Sequence, residues 1–290
     1  MTLPFALARR FVAGETLDAA LPAVGALLDD GLFITLDLLG EYVDQRPKAE
    51  AFAREYVELV DRLATFRERR GDPAHAVGVS IKLSMIGQVI DRELCEDHLR
   101  TVLDHAKAAD LFVRLDMEGS DITESTLSLF ESVYPDYPDH VGPVLQAYLH
   151  RTESDVARMC ELNARVRLCK GAYAEASTIA YPSMPEIRER YLAYARALLA
   201  DARYPGIATH DDNLIQAVQA LVAGEGIDRD TFEFQMLYGL RPETQRQLVR
   251  DGYRMRVYVP YGTEWFPYFS RRIRERKENL FFVLKALVKG

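Results

Sequence analysis

The chain has 290 residues, 48% hydrophobic and 28% charged, with a net charge of −8 and a pI near 5.4. It is long enough for one α/β barrel or two smaller domains, and its acidic balance argues against a general nucleic-acid binder. Cys95, Cys160 and Cys169 form no CxxC pair and read as free thiols of a reducing compartment; no apolar run approaches the roughly 18 residues of a membrane span, and Met1–Val12 lacks the basic start and long apolar run of a secretory leader.

In chain order, residues 3–12 and 16–29 read as N-terminal helices, so 1–30 is set apart from a catalytic domain over 31–290. Residues 32–39 form an apolar run of strand length, and 47–70 follow as a helix stopped by Gly71-Asp72-Pro73. The alternation then repeats. Strands are expected at 76–83, 111–116, 144–149, 166–169, 206–209, 232–236 and 255–259. Helices are expected at 91–108, 122–133, 152–163, 185–201, 211–223 and 242–250, with Gly224-Glu-Gly226 as a C-cap turn. A last amphipathic helix begins near Phe266. Eight short apolar strands separated by amphipathic helices imply a parallel sheet buried on both faces, and eight units in this length fit a (β/α)8 TIM-like barrel. There is no GxGxxG after the first strand and no GxxxxGK[ST], so neither a Rossmann nor a P-loop nucleotide site is expected.

Polar residues gather where such a barrel places its active site, at the C-terminal ends of the strands. Lys82 closes strand two, Asp116 and Glu118 close strand three, and Gln146 lies in strand four. Arg167 and Lys170 flank the end of strand five, Thr209 and His210 close strand six, Glu233 and Gln235 lie in strand seven, and Tyr258 lies in strand eight. In the last helix Tyr268, Arg271 and Arg272 stand at i, i+3 and i+4, on one side of the first turns. Residues 271–278 carry five basic side chains against two acidic ones; for the helix alone, a solvated face with weak ion pairs is the simpler reading. Set beside a cationic ring of strand ends, its first turn reads as an anion clamp. The six histidines are scattered with no HxH or HExxH spacing, so no metal site is expected, and there is no GxSxG elbow. Three readings stay open on these residues. Lys82 or Lys170 serves as a Schiff-base lysine, the cations are electrostatic and a cofactor does the chemistry, or the barrel binds an amino acid without catalysis.

Nine segments in one order carry a more specific signal: Leu38-Leu-Gly-Glu41, Lys82-Leu-Ser84, Arg114-Leu-Asp-Met-Glu118, Leu145-Gln-Ala-Tyr148, Arg167-Leu-Cys-Lys-Gly-Ala-Tyr173, Ala208-Thr-His210, Glu233-Phe-Gln235, Arg256-Val-Tyr-Val-Pro260 and Tyr268-Phe-Ser-Arg-Arg272. Together they resemble the FAD-dependent proline dehydrogenases of the monofunctional bacterial type. The resemblance implies a distorted (β/α)8 barrel with its final helix over the C-terminal mouth. It also implies oxidation of L-proline to Δ1-pyrroline-5-carboxylate, with hydride passing to FAD N5 and electrons to membrane quinone.

Carried over residue by residue, it assigns Lys82, Tyr258, Tyr268, Arg271, Arg272, Tyr173 and Leu237 to proline. Met117, Gln146, Arg167, Lys170, Gly171, Ala172, Thr209 and His210 fall to FAD. Asp116 and Arg167 become catalytic-site groups, and Glu41 the acidic partner of a gate. Tyr258, where a smaller residue goes with hydroxyproline in relatives, favours proline. Ala174 departs from the aromatic residue that many members carry there. Without an aldehyde dehydrogenase module, the product is expected to pass to a separate pyrroline-5-carboxylate dehydrogenase. The expected location is cytoplasmic and peripheral to the membrane's inner face, with residues 280–288 apolar enough to lean on it.

Overall fold

The structure, a computed structural model, describes residues 5–40 and 42–275. Eight strands alternate with helices along the chain: β1 Phe33–Leu38, β2 Val77–Ile81, β3 Phe112–Leu115, β4 Val141–Gln146, β5 Arg167–Cys169, β6 Gly206–Ala208, β7 Glu233–Leu237 and β8 Met255–Tyr261. Each pairs in parallel with the next, and β8 pairs with β1, so the sheet closes into the expected barrel. The helices are α1 Leu17–Asp29, α2 Arg46–Arg70, α3 Arg92–Ala108, α4 Ser120–Val133, α5 Thr152–Glu161, α6 Met184–Asp201, α7 Asp212–Glu225, α8 Pro242–Arg250 and α9 Trp265–Glu275.

Local chemistry explains the element boundaries. Thr16, Asp91, Ser183 and Asp211 each accept a backbone N–H from the first turn of the helix that follows. Gly71 and Gly226 end α2 and α7 in left-handed conformation, with φ of 73° and 67°. Between them the strands run outward-facing Ile34, Leu36, Val79, Ile81, Val113, Leu115, Val257 and Val259 against the helices, all buried. Each such side chain contributes roughly 1.5–3 kcal/mol of burial.

Two expectations need correction. Over 5–12, the described part of the helix expected at 3–12, there is no such helix: a single 3-10 turn at Phe5–Leu7 is followed by turns. The segment is too short to sustain a helix alone and is held by packing instead, with Ala8, Phe11 and Val12 buried against Trp265, Tyr268 and Phe269 of α9. The fourth strand spans 141–146, three residues earlier than expected. Gly142 and Pro143 hid its start, yet both suit their places. Gly142 lies where a Cβ would stand 2.1 Å from the Arg165 carbonyl oxygen, and the Pro143 carbonyl accepts from Arg114 Nη1 at 3.0 Å.

The barrel interior departs from the usual layers of branched aliphatics. The inward positions hold Thr35, Asp37, Ser80, Arg114, Gln146, Arg167, Glu233, Gln235 and Arg256, all buried. Room for side chains this large comes from glycine on alternate strands. Gly78, Gly142 and Gly206, on β2, β4 and β6, sit where an added Cβ would lie within 3 Å of Phe112, Arg165 or Gln235 atoms.

Candidate active site

At the C-terminal end of the barrel, Asp116 is the hub. It follows β3, and its carboxylate accepts from Ser80 Oγ at 2.7 Å, Arg167 Nη1 at 2.9 Å and Tyr258 Oη at 2.6 Å. Lys82 Nζ stands 3.8 Å from the same carboxylate and 2.6 Å from Asp37 Oδ1. Strands β1, β2, β3, β5 and β8 thus contribute to one connected group, and the residues expected there from β2, β3, β5 and β8 are indeed brought together. The Tyr258 ring lies under the Arg167 guanidinium, 5.3 Å from its centroid.

Arg167 is fixed from below as well. Its Nε donates to Gln235 Oε1 at 2.5 Å, and Gln235 Nε2 donates to Glu233 Oε1 at 2.5 Å. Glu233 accepts in turn from Arg256 at 2.6 and 3.0 Å. A continuous polar chain therefore links the mouth of the barrel to its floor. Burial would raise the Glu233 carboxyl, but the charge and hydrogen bonds of Arg256, together with Arg165 and Gln235, more than offset it and hold that group below its ordinary range.

The electrostatics of the mouth follow from burial. Burial opposes the charge of Lys82, yet the Asp37 and Asp116 carboxylates hold its pKa above the usual lysine range, so it stays an ammonium. Burial pushes the Asp37 carboxyl up to about 6 against the pull of Lys82. Burial, reinforced by the Asp116 charge, keeps Tyr258 a neutral phenol.

The ends of β4, β5 and β6 form a second arc. Gln146 donates from Nε2 to the Glu118 carbonyl at 2.7 Å, while the Glu118 carboxylate accepts from Ser84 Oγ at 2.9 Å. Lys170 Nζ lies 3.2 Å from Asp211 Oδ2, which Arg188 Nε also reaches at 2.8 Å. His210 accepts the Leu237 backbone N–H on Nε2 at 2.9 Å, placing its own proton on Nδ1. Thr209 and Met117 are buried beside this arc, whereas Gly171 and Ala172 lie toward the surface. The donor set, one carboxamide with the cations of Arg167, Lys170 and Arg188 on neighbouring elements, fits a cofactor that has a polar conjugated ring and a phosphate chain.

The α9 side is less open than expected. Tyr268 is buried in an apolar cluster with Phe11, Val12, Leu39, Leu240 and Trp265, and Leu237 packs on the edge of the same cluster. The Arg272 guanidinium, also buried, lies 5.1 Å from the Tyr268 ring centroid. Tyr173 is on the loop after β5 and is 38% exposed. Burial pushes its phenol up to about 12, with the Glu118 charge adding to the rise and those of Arg271 and Lys82 opposing it. Glu41 lies outside the described residues, as do Lys277 and residues 280–288.

Sequence reading did not include Asp37, Ser80, Asp211 or Arg188 in the site. For Asp37 a signal existed: Thr35 and Asp37 alternate with Ile34, Leu36 and Leu38, which puts both on the inner face of β1. For Asp211 it was an aspartate directly before a helix, which also reads as a plain cap. Arg188, mid-helix in α6, carried none. Among the described residues no His, Cys, Asp and Glu side chains group at metal-ligand geometry.

Comparison with known proteins fits this arrangement. The family model described as Proline dehydrogenase matches residues 20–285. The chain is 41% identical over 292 residues to "Proline dehydrogenase" of Deinococcus radiodurans, covering 98% of this chain and 91% of that one. It is 42% identical over 282 residues to "Proline dehydrogenase 1" of Bacillus subtilis subsp. natto, covering 97% and 91%. Among solved structures, proline utilization A from Bdellovibrio bacteriovorus inactivated by N-propargylglycine superposes with a TM-score of 0.86 at 28% identity. That match covers 93% of this chain and 32% of the other, so this chain spans about a third of that protein.

Proposed function

The chain belongs to the proline dehydrogenase family and oxidises proline in proline catabolism; from that premise we propose that it converts L-proline to Δ1-pyrroline-5-carboxylate with FAD, and that the electrons leave for a membrane quinone. The observation that carries this reading is the connected group of Lys82, Asp37, Asp116, Arg167 and Tyr258 at the barrel mouth. It fixes two cations, Lys82 and Arg167, at the mouth where a small carboxylate substrate would meet them.

Lys82, with Arg271 and Arg272 from α9, takes the proline carboxylate and so fixes the orientation of the ring. Tyr258, held by Asp116, and Leu237 border the space for that ring. Asp116 accepts from three donors, so it orients Arg167, Tyr258 and Ser80 rather than abstracting a proton. Gln146, Arg167, Lys170, Thr209 and His210 would hold FAD, with Met117, Gly171 and Ala172 lining the rest, and the bound group would supply a two-electron acceptor for the hydride leaving the carbon next to nitrogen. Arg167, gripped from both sides, sets a positive charge where negative charge accumulates on the acceptor side.

The Schiff-base alternative finds little support. A nucleophilic lysine must be a neutral amine, whereas Lys82 is paired with two carboxylates and Lys170 with Asp211. Among the described residues no helix is long and apolar enough to cross a membrane. Our reading is that electrons pass to quinone at the membrane surface, from a cytoplasmic protein. A separate pyrroline-5-carboxylate dehydrogenase would consume the product.

An anaerobic absorption spectrum tests the proposal. The purified protein should be yellow and bleach on addition of L-proline, and a quinone analogue should restore the colour. A colourless protein that FAD does not reconstitute would refute the flavin reading.

A further inference from the structure

Below the active site, the floor of the barrel closes around an enclosed cavity of about 10 Å3, room for one water-sized occupant. Four guanidiniums line it, those of Arg114, Arg165, Arg167 and Arg256, against the single carboxylate of Glu233. Arg256 is offset by Glu233, and Arg167 by Asp116 above it. Arg114 and Arg165 have no carboxylate within ion-pair distance among the described residues. Arg114 donates to the carbonyls of Pro143 and Arg165, while Arg165 stacks on Phe112 at 4.0 Å and Tyr204 at 5.0 Å. Arg165 Nε, shielded from solvent, meets no acceptor among those residues.

Two buried guanidinium charges without a carboxylate in ion-pair contact are costly. Burial, with Arg167 and Arg165 alongside, pushes Arg114 well below its ordinary range. An arginine nevertheless keeps its proton in a protein, so relief has to come from an added negative charge. We propose that the barrel floor is a binding site for a small monovalent anion of halide size, held among Arg114, Arg165, Arg167 and Arg256. Space selects the class: oxyanions such as phosphate or sulfate exceed a cavity of this size. The glycines at 78 and 142 keep the space open, since a Cβ at either would press on Phe112 or on Arg114 and Arg165 atoms. Arg165 is half-buried at the lower rim, which gives the ion a short route in. The site is distinct from the substrate clamp and stands whether or not the flavin reading holds.

The test compares thermal melting of the holoenzyme in sodium chloride and in sodium gluconate at equal ionic strength, gluconate being too large to enter. Chloride should raise the melting temperature saturably, by about 2–4 °C, and Arg165→Met should abolish the difference between the two salts. This variant removes one guanidinium without stripping a backbone carbonyl of its donor. Crystals of the unmodified protein grown with sodium bromide supply a second readout that does not depend on the variant folding: an anomalous peak among the four arginines is expected. No anomalous peak at that place overturns the proposal, and so does a chloride effect that Arg165→Met retains in full.

Discussion

Lys82 Nζ lies 2.6 Å from Asp37 Oδ1, the shortest contact of that ammonium with either of its two carboxylates, and the second oxygen of Asp37 is buried with no hydrogen-bond partner among the described residues. A carboxylate used on one side holds the lysine but is itself poorly satisfied. Such a contact serves position more than stability. Asp37→Asn should therefore release Lys82 toward Asp116 and weaken its grip on the proline carboxylate, raising KM about tenfold, equivalent to about 1.4 kcal/mol. Steady-state kinetics separate this from a merely structural role, which would lower the active fraction and leave KM unchanged.

The same carboxyl makes a stability prediction of opposite sense. Its folded pKa is raised to about 6 from 3.8, first by burial, so the native state binds this proton more tightly than the unfolded chain. Its stabilising contribution is complete below the unfolded value and is lost as pH rises through about 6. The wild-type unfolding free energy, measured against that of Asp37→Asn, should be most favourable near pH 4 and decline until about pH 7, by on the order of 2–3 kcal/mol in total. At neutral pH the variant should be as stable as wild type or more so. A difference growing with pH would show that Lys82 outweighs burial.

Those two residues also mark what the chain made legible. Lys82 stood out because a charge at the end of an apolar strand needs a reason. Asp37 was masked by six apolar neighbours, although its period of two with Thr35 already put it inside. The barrel itself was readable because eight short strands with apolar outward faces alternate regularly with amphipathic helices. β4 was misplaced since Gly142 and Pro143 signal a turn locally, while the close approach of Arg165 and Arg114 imposes them from the two neighbouring strands. The short 5–12 segment was misread for a related reason, as its apolar spacing serves packing on α9 rather than a helix. Pairings such as Arg188 with Asp211 join elements 23 residues apart, and no local pattern encodes them.

The glycines of the barrel floor are open to direct trial. In Gly142→Ala the new methyl would stand 2.1 Å from a backbone oxygen, that of Arg165, and 2.8 Å from the Phe112 ring. Backbone cannot swing aside as a side chain would, so the cost should lie at or above the upper end of the roughly 1–3 kcal/mol seen for overpacked interiors. Gly224→Ala, in the last turn of α7 with nothing within 4 Å of its would-be Cβ, should instead add up to about 1 kcal/mol through helix propensity. Denaturant midpoints of the two variants should move in opposite directions.

The division between the two arcs of the mouth can be separated by a pair of substitutions. Arg272 is buried on α9 beside Tyr268, on the side given to the substrate carboxylate. Arg272→Met should cost roughly 2–4 kcal/mol in kcat/KM, expressed mainly as a higher KM for proline, with flavin content unchanged. Asp211 faces the other arc, where it gathers Lys170 and Arg188 at 3.2 and 2.8 Å. Burial works against its charge, yet Arg188 and Lys170 hold its carboxyl below the usual range, so at neutral pH both cations are tied to an anion. Asp211→Asn frees them to diverge, which should lower flavin retention through gel filtration while the flavin-loaded fraction keeps the wild-type KM. Loss of flavin from Arg272→Met, or a raised KM in flavin-loaded Asp211→Asn, would show that the arcs act as one site.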